Sequence, residues 1–577
     1  MHAILSILLL SAPAPAQFYP DARVDLGDAP GASASGPPAV HVAGDLVRVA
    51  WADYREAASS RMFLNASQDG GRTWLADPIR VNPPGSPGVI GSALAVSGNS
   101  VHVFYFDRRK GRPTGAGGYY YDIAVASSQD GGQTWAPEQR LNHDEVGRRF
   151  LTFPSVAASG DDVYAVWSQA SGVPRKVVFQ VSRDRGATWL PFDLDISGGA
   201  VSPQQARVAT EGDDVYVTWA DWRNGPPDVF INVSHDRGVT WKPSPIRLDT
   251  GTAPGAVASY CPEIAVDGPY VYVAWYERRS GNNDVFFNRS FGRGEQWDGS
   301  DRRLDTGTGP GVSESILPVI AAGNGNVIVG WQQGLGSTVN VSNDFGVTWL
   351  PAEIGLNPGP DADRGLNLLV RGDDVYVTYD TLYDGEPWLV HSFDGGRSFQ
   401  PRLLLSADAA TDGFDYVSPA LAADSEGNVA VAWADLREFY ASGGEEDIYA
   451  AAGRYPWLAL EGDLTAGGIA NFRLSGAGES GARGHVLLSG TGENGQVFLP
   501  DASGRYLSLV FDDFTAWAVA NLTPLTTAPI ANGSAATPNV TVPGLPPGTP
   551  IWAAAVTRDP VTGEFLSVTR TLALVVQ

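Results

Sequence analysis

Short segments of alternating hydrophobic and polar residues run along most of the chain, separated by turn residues. Segments 206–223 and 262–279 each indicate two strands joined by a turn that contains Gly or Asp. A third strand follows, as at 228–234, and a fourth follows that one, as at 246–249. Period-two alternation is typical of strands, and no long segment shows helical periodicity. The pattern predicts a repeated unit of four antiparallel strands, the blade of a β-propeller.

A turn motif, Ser-x-Asp-x-Gly-x-Thr-Trp, follows the third strand of most units, and a degenerate copy at 290–297 has lost its Asp. Its closing aromatic residue recurs at positions 74, 135, 189, 241, 297, 349 and 399. Successive positions are 50 to 61 residues apart, and self-similarity at such a period is typical of propellers and solenoids. The Ser and Asp side chains can bind turn amides, and Gly permits positive φ, so a structural role is expected. The motif aspartates are Asp69, Asp130, Asp184, Asp236, Asp344 and Asp394.

The two ends of the repeated region predict how the ring closes. Residues 22–31 closely match 246–255 and 302–311, which are fourth strands with their following loops. Residues 419–453 supply three strands without the turn motif. We therefore expect the N-terminal strand to complete the last blade and leave few exposed strand edges. This gives eight blades, with seven as the alternative.

Three regions follow from these patterns. Residues 1–16 resemble a signal peptide, with an apolar run and a small-residue cleavage pattern before Gln17. Residues 17–455 form the predicted propeller. Residues 456–577 contain short alternating strands and predict a small β-sandwich-like domain. Its expected role is glycan binding, cell-surface retention, secretion targeting or simple stabilisation.

Composition narrows the classes of function. The net charge of −25 disfavours nucleic acids and anionic membranes as partners. Cys261 is the single cysteine, so the chain has no internal disulfide, and we expect it to be a small buried residue. No segment after the first run is apolar enough to span a membrane. A secreted protein is predicted, at the cell surface or in the periplasm as alternatives.

With these motifs, the region from about 22 to 455 resembles the Asp-box, or BNR-repeat, propellers of the sialidase superfamily. The resemblance implies a glycan partner and an active site on the face opposite the Asp boxes. Sialidases use three arginines for the substrate carboxylate, a Tyr nucleophile assisted by a Glu, and an Asp acid/base. The Phe/Tyr-Arg-Ile-Pro segment of sialidases is absent, and eight blades exceed their six. The family's residues are therefore not assigned one by one.

A second recurring pattern ends many second strands on that opposite face. It reads Trp-x-Asp-x-Arg, with variants, and its arginines are Arg55, Arg109, Arg223, Arg279 and Arg437. Charges in a crowded ring are usually paired, so structural ion pairs are the first expectation. The alternative is an arginine group that binds an anionic sugar through bidentate contacts.

Irregular loops supply the other candidates. Segment 107–122 carries Tyr120, and the next interblade loop, 141–150, carries Asp144, Glu145, Arg148 and Arg149. Tyr260 and Tyr416 each precede an innermost strand. We predict Asp144, Glu145, Tyr260 and Tyr416 as catalytic candidates. Arg148, Arg149 and Tyr120 join the motif arginines as substrate-binding candidates.

Two hypotheses for function result. The first is a secreted propeller that acts on or binds glycans, including sialidase-like exo-glycosidase activity. The second is a non-catalytic propeller that binds polysaccharide or protein at the cell surface, with the C-terminal domain as one contact. No zinc-ligand spacing or phosphate loop is present, so no cofactor is expected. Gly-Asp-Asp turns leave a structural calcium ion open, although hairpin solvation explains them better.

Overall fold

The computed structural model describes most of the chain up to Arg454 and only strands beyond it. The described residues are 17–55, 60–83, 88–109, 120–169, 171, 175–357, 362–382, 385–406, 419–435, 437, 444–454, 457–462, 469–475, 483–489, 497–500, 506–509, 534–536, 540–541, 550–558, 565–568 and 572–575. Contacts divide the chain into two compact units. One unit comprises Pro20–Ala423 and Ala430–Ala451, and the other comprises Met1–Tyr19, Asp424–Val429 and Ala452–Gln577.

The described chain between Gln17 and Arg454 is built from repeated antiparallel sheets, and in blades one to seven the strands follow one another in sequence order. Blade one contains Ala39–Ala43, Leu46–Asp53, Arg61–Ser67 and Ile79–Arg80. Blade two contains Val89–Ser97, Ser100–Asp107, Asp122–Ser128 and Gln139–Arg140. Blade three contains Ser155–Ser159, Asp162–Gln169, Lys176–Ser182 and Leu194–Asp195. Blade four contains Gln204–Glu211, Asp214–Asp221, Asp228–Ser234 and Ile246–Arg247.

The remaining blades repeat the same order of strands. Blade five contains Ser259–Asp267, Tyr270–Glu277, Asp284–Phe291, Gln296–Trp297 and Arg302–Arg303. Blade six contains Ser315–Gly323, Asn326–Gln333, Gly336–Ser342 and Ile354–Gly355. Blade seven contains Asp363–Arg371, Asp374–Thr381, Pro387–Ser392 and Leu403–Leu404. Blade eight contains Ala420–Ala423, Asn428–Asp435 and Asp447–Arg454, with Gln17–Phe18 and Ala22–Arg23 from the start of the chain.

The first strands of successive blades contact one another, and Ala420–Ala423 of blade eight contacts Ala39–Ala43 of blade one. These contacts close a ring, with the first strands on the inside. The chain is an all-β, eight-bladed propeller, and the predictions of fold class and of eight blades are confirmed.

Blade eight is completed by the N-terminal strand. Ala22 pairs with Ala450 and Arg23 with Tyr449, in the place of a fourth strand. Val24 is fully buried in the hydrophobic core shared with blade one, and its amide donates to the carbonyl of Ile448 at 2.7 Å. Closure by the two ends of the repeated region is thus observed, as the match between segment 22–31 and the internal copies predicts.

Hydrophobic packing between neighbouring blades forms the core. A tryptophan on the second strand is fully buried at one equivalent position in six blades, at Trp51, Trp167, Trp219, Trp275, Trp331 and Trp433. Tyr105 and Tyr379 take this place in blades two and seven. Apart from Trp433, each of these side chains belongs to a cluster that joins two blades, as Trp275 does with blade four. Burial of large aromatic side chains in this way supplies much of the stabilisation of a domain without disulfides.

The turn motifs form closed networks on the face that also carries the turns between strands one and two. In blade one, the Ser67 hydroxyl donates to Asp69, which also accepts the amide and hydroxyl of Thr73. The Gly70 amide then donates to the carbonyl of Asp45 in the neighbouring turn. The same contacts recur around Asp130, Asp184, Asp236, Asp344 and Asp394. These aspartates stabilise turns, and hydrogen bonds led by that of Thr134 lower the pKa of Asp130 to about 2.

Three blades contain a buried pair of aspartates that share one arginine. The sets are Arg23 with Asp25 and Asp447, Arg247 with Asp228 and Asp249, and Arg303 with Asp284 and Asp305. One cation cannot compensate two buried carboxylates fully. Burial raises the pKa of Asp25, Asp249 and Asp305 to about 7, and the second carboxylate of each pair adds to the increase.

Beyond residue 456, the strands pair in three groups. Trp457–Gly462 pairs with Ile469–Ser475, which also pairs with Ser534–Ala536 and Val540–Thr541. Arg483–Ser489, Phe565–Val568 and Leu572–Val575 pair with Pro550–Arg558, and Val497–Pro500 pairs with Tyr506–Leu509. The sandwich-like domain and its boundary stay predictions. In the described part of the chain, no helix is long and apolar enough to cross a membrane.

Candidate functional site

The candidate site lies where the first strands begin, on the face opposite the turn motifs. In five blades the first strand is interrupted there by a β-bulge. The bulge residues have positive φ and are Gly91, Gln205, Cys261, Leu317 and Gly365. A left-handed conformation is unfavourable for the three that are not Gly, and bulges of this kind often occur beside functional sites. Three neighbouring blades, four to six, therefore place side chains on strained backbone around the channel.

Two of these bulge residues contact each other across the interface between blades four and five. The side-chain Nε2 of Gln205 donates to the Cys261 sulfur at 2.8 Å. The backbone amide of Cys261 donates to the side-chain oxygen Oε1 of Gln205, also at 2.8 Å. Burial raises the pKa of the Cys261 thiol, which favours its protonated form at neutral pH. The sequence-based expectation was a buried residue, and the structure leaves the Cys261 side chain half-buried instead.

Aromatic side chains gather beside this contact. The ring of Tyr260 lies edge-on to Trp222, with 6.1 Å between centroids, and 5.7 Å from the ring of Tyr276. All three side chains are half-buried. We call Trp222, Tyr260 and Tyr276 the blade-five aromatic cluster. Partly exposed aromatic faces with hydroxyl groups at their edges suit a ligand that has both apolar and polar surfaces.

Charged groups flank the cluster along the channel. Arg207 of blade four donates to Glu263 of blade five at 2.7 Å, and both side chains are partly exposed. Burial raises the pKa of Glu263, and Arg207 opposes that increase. Glu314 accepts a hydrogen bond from the side chain of Asn283 on the neighbouring loop. The site therefore combines aromatic rings with both hydrogen-bond donors and hydrogen-bond acceptors.

Tyr260 is the catalytic candidate that the structure places in this cluster. Neither Asp144 nor Glu145 belongs to it. Asp144 accepts from Asn142 at 2.7 Å and pairs with Arg149, and burial raises the pKa of Asp144. Glu145 pairs with Arg148 on the surface of the same loop. The roles of these residues stay predictions, and Tyr416 lies outside the described residues.

The five motif arginines are not brought together. Each pairs with the acid two residues before it: Arg55 with Asp53, Arg109 with Asp107, Arg223 with Asp221, Arg279 with Glu277 and Arg437 with Asp435. Four of the guanidinium groups also lie over aromatic rings of the third strand, at 3.6 to 4.6 Å from the centroid. Such contacts favour a structural role within each blade. Substrate binding by these arginines stays a prediction.

The described ends of the two irregular loops are neighbours, because the amide of Tyr121 lies 3.4 Å from the carbonyl of Arg149. Tyr120 is half-buried next to this contact. Within the described ranges, no group of three His, Cys, Asp or Glu side chains could hold a metal ion.

Sequence reasoning missed the bulge residues Gln205 and Leu317. For Leu317 a signal was present, because blades five and six begin with Ser-Tyr-Cys-Pro at 259–262 and Ser-Ile-Leu-Pro at 315–318, whereas Ala206 follows Gln205 in blade four. In both cases the bulge residue immediately precedes Pro, which cannot donate a hydrogen bond and favours an interrupted strand.

No family model matches the sequence, and no curated protein matches it. Among solved structures, the chain is similar to the polysaccharide lyase Uly1, at 14% identity and a TM-score of 0.44, over 78% of this chain and 95% of that one. It is also similar to the NanB sialidase from Streptococcus pneumoniae, at 12% identity and a TM-score of 0.34, over 56% and 68%. An α-L-arabinanase from Penicillium chrysogenum gives 17% identity and a TM-score of 0.31, over 48% and 85%. Likeness at this level does not assign an activity.

Proposed function

We propose that this protein is an exported propeller of the Asp-box type that binds glycans through the blade-five aromatic cluster. The observation that carries the proposal is the half-buried arrangement of Trp222, Tyr260 and Tyr276 at the start of an innermost strand. The C–H surface of a sugar packs on aromatic faces, and its hydroxyl groups need donors and acceptors. Gln205 and the Arg207–Glu263 pair supply these beside the cluster.

Affinity electrophoresis in gels that contain arabinan, xylan, alginate or hyaluronan tests this proposal, with sialyllactose as a competitor. We expect retardation by at least one polymer, weakened about tenfold by Trp222→Ala or Tyr260→Ala through loss of a central aromatic contact. Phe291→Ala is the matched control, because Phe291 is an exposed aromatic residue at the turn-motif end of blade five. The proposal fails if no polymer retards the protein, or if the cluster variants bind like wild type.

Glycoside hydrolysis is a second candidate, which one observation favours. Glu263 is a partly exposed carboxyl group on the innermost strand that carries Tyr260, and it is the candidate general acid; burial raises its pKa, and the ion pair with Arg207 opposes that increase. A hydrolase needs a second carboxyl group about 5–10 Å away. A reducing-sugar assay on the same polymers, with Glu263→Gln, separates the two functions. Turnover that Glu263→Gln abolishes supports hydrolysis, whereas binding without turnover leaves glycan binding as the function.

Export and the domain boundary belong to the same proposal. We expect a mature protein that begins at Gln17, because the small-residue pattern at 14–16 suits signal peptidase. Mass spectrometry of the exported protein tests this expectation. We also propose that residues 456–577 form a separate domain, and limited proteolysis should then cut near residue 455.

A further inference from the structure

A second group of aromatic side chains lies on the same face as the blade-five aromatic cluster. Phe106 stacks on Tyr121 with 4.9 Å between centroids and lies edge-on to Phe153 at 5.1 Å. All three side chains are half-buried. We call Phe106, Tyr121 and Phe153 the blade-two aromatic cluster. Phe150, which follows Arg149 of the Tyr121–Arg149 backbone contact, is 49% exposed.

The two clusters share one equivalent position in the repeat, in blades two and five. Phe106 is the penultimate residue of the second strand of blade two and pairs with Ile90. Tyr276 is the penultimate residue of the second strand of blade five and pairs with Tyr260. In both blades this partner immediately precedes a bulge residue, Gly91 or Cys261. The same position beside the channel therefore carries an aromatic ring in both clusters.

The backbone of blade two makes room for this aromatic surface. A Cβ atom on Gly91 would lie 2.6 Å from the ring of Phe153 of the next blade, so Gly is required there. At the corresponding contact between blades four and five, the bulge residue is Gln205, which binds Cys261 instead. Because Gly91 has no side chain, the ring of Phe153 packs against the backbone of blade two and stays partly accessible.

One cluster lies at the interface of blades two and three, and the other at the interface of blades four and five. These interfaces are two blade steps apart in a ring of eight, and the equivalent residues Phe106 and Tyr276 are three steps apart. Because packed sheets lie about 10 Å apart, two steps exceed the length of one sugar ring. We propose that the blade-two aromatic cluster is a second contact point for the same glycan, so that the ligand is an extended carbohydrate chain and not a single terminal sugar. This inference rests on the proposed function.

Oligosaccharides of two lengths test the inference. Isothermal titration compares disaccharides and octasaccharides prepared from arabinan, xylan, alginate and hyaluronan. We expect the octasaccharide of the recognised polymer to bind about 30-fold more tightly than the disaccharide, because the second contact becomes intramolecular. Tyr121→Ala should reduce that ratio to about threefold and leave disaccharide affinity unchanged. Trp222→Ala should weaken binding of both lengths by about tenfold.

Phe192→Ala is the matched control, because Phe192 is 53% exposed and lies two residues before the outermost strand of blade three. Its length ratio should equal that of wild type, and thermal unfolding should show all variants folded. A wild-type protein that binds both lengths equally overturns the inference while the proposed function stands. The inference is also overturned if Tyr121→Ala leaves the ratio of octasaccharide to disaccharide affinity unchanged. If wild type binds no oligosaccharide and no polymer, the proposed function fails, and the inference falls with it.

Discussion

Gln205 and Cys261 hold two strained bulges together, through a 2.8 Å contact between side chains and a 2.8 Å hydrogen bond from the Cys261 amide. Their φ angles are 56° and 50°. We expect Gln205→Ala to lower the free energy of unfolding by about 1–2 kcal/mol, because the Cys261 amide loses its acceptor. Gln205→Gly should recover about 1 kcal/mol of that loss, since Gly adopts positive φ without strain. Urea denaturation measures both, and a Gly variant less stable than the Ala variant would contradict the expectation.

The thiol of Cys261 should react slowly in the folded protein. Burial raises its pKa, so the fraction of reactive thiolate near pH 8 is small. We expect the reaction with Ellman's reagent to be at least about tenfold slower than for the chain unfolded in urea. Equal rates for the two forms would mean that Cys261 is an accessible and reactive group.

Arg279 provides a direct test of the motif arginines. It pairs with the fully buried Glu277 and with Asp301, and lies over Phe286. Arg279→Ala should therefore lower the free energy of unfolding by about 3 kcal/mol, because a buried carboxylate loses its partner. The neighbouring exposed residue provides the control, since Arg278→Ala should change stability by less than about 0.5 kcal/mol. Loss of glycan binding at unchanged stability would instead assign Arg279 to the ligand.

The buried aspartate pairs predict a pH dependence of stability. Asp249 has a pKa of about 7 in the fold, raised by burial and by Asp228, against about 3.9 in an unfolded chain. The folded state binds the Asp249 proton more tightly than the unfolded chain does. The contribution of this proton to the free energy of unfolding is therefore fully present below about pH 4 and is lost as the pH rises to about 7. Relative to Asp249→Asn, wild type should lose about 1 kcal/mol or more of stability between about pH 5 and about pH 8. Parallel stability curves for the two proteins would disprove this assignment.

The repeat made the propeller predictable, because period, turn motif and alternation all indicate the same blade. Closure could also be predicted, since segment 22–31 repeats the internal copies at 246–255 and 302–311. The site was less accessible to sequence reasoning. Tyr260 was found because it interrupts the repeat, but its contacts with Trp222 and Tyr276 depend on how neighbouring blades pack. Spacing along one chain does not give distances across a blade interface.

The backbone conformation of the bulges could not be predicted from the sequence either. Leu317 has a φ of 52° and is 52% exposed, and nothing in its residue type indicates positive φ. The conformation follows from the register of a whole strand against its neighbour. The motif arginines differ, because their pairing with an acid two residues earlier is local and could be expected from the sequence alone.

The strand that completes blade eight also sets a timing constraint on folding. Asp21 and Arg437 form an ion pair across a sequence separation of 416 residues. At a synthesis rate of about 5–20 residues per second, the first partner emerges from the ribosome roughly 20–80 s before the second. During that interval the earlier blades can assemble on one another, but both ends of the growing array expose an apolar blade face that a neighbouring blade covers in the closed ring. We therefore expect newly made chains to depend on chaperones until the last blade is synthesised, because only then can the ring close.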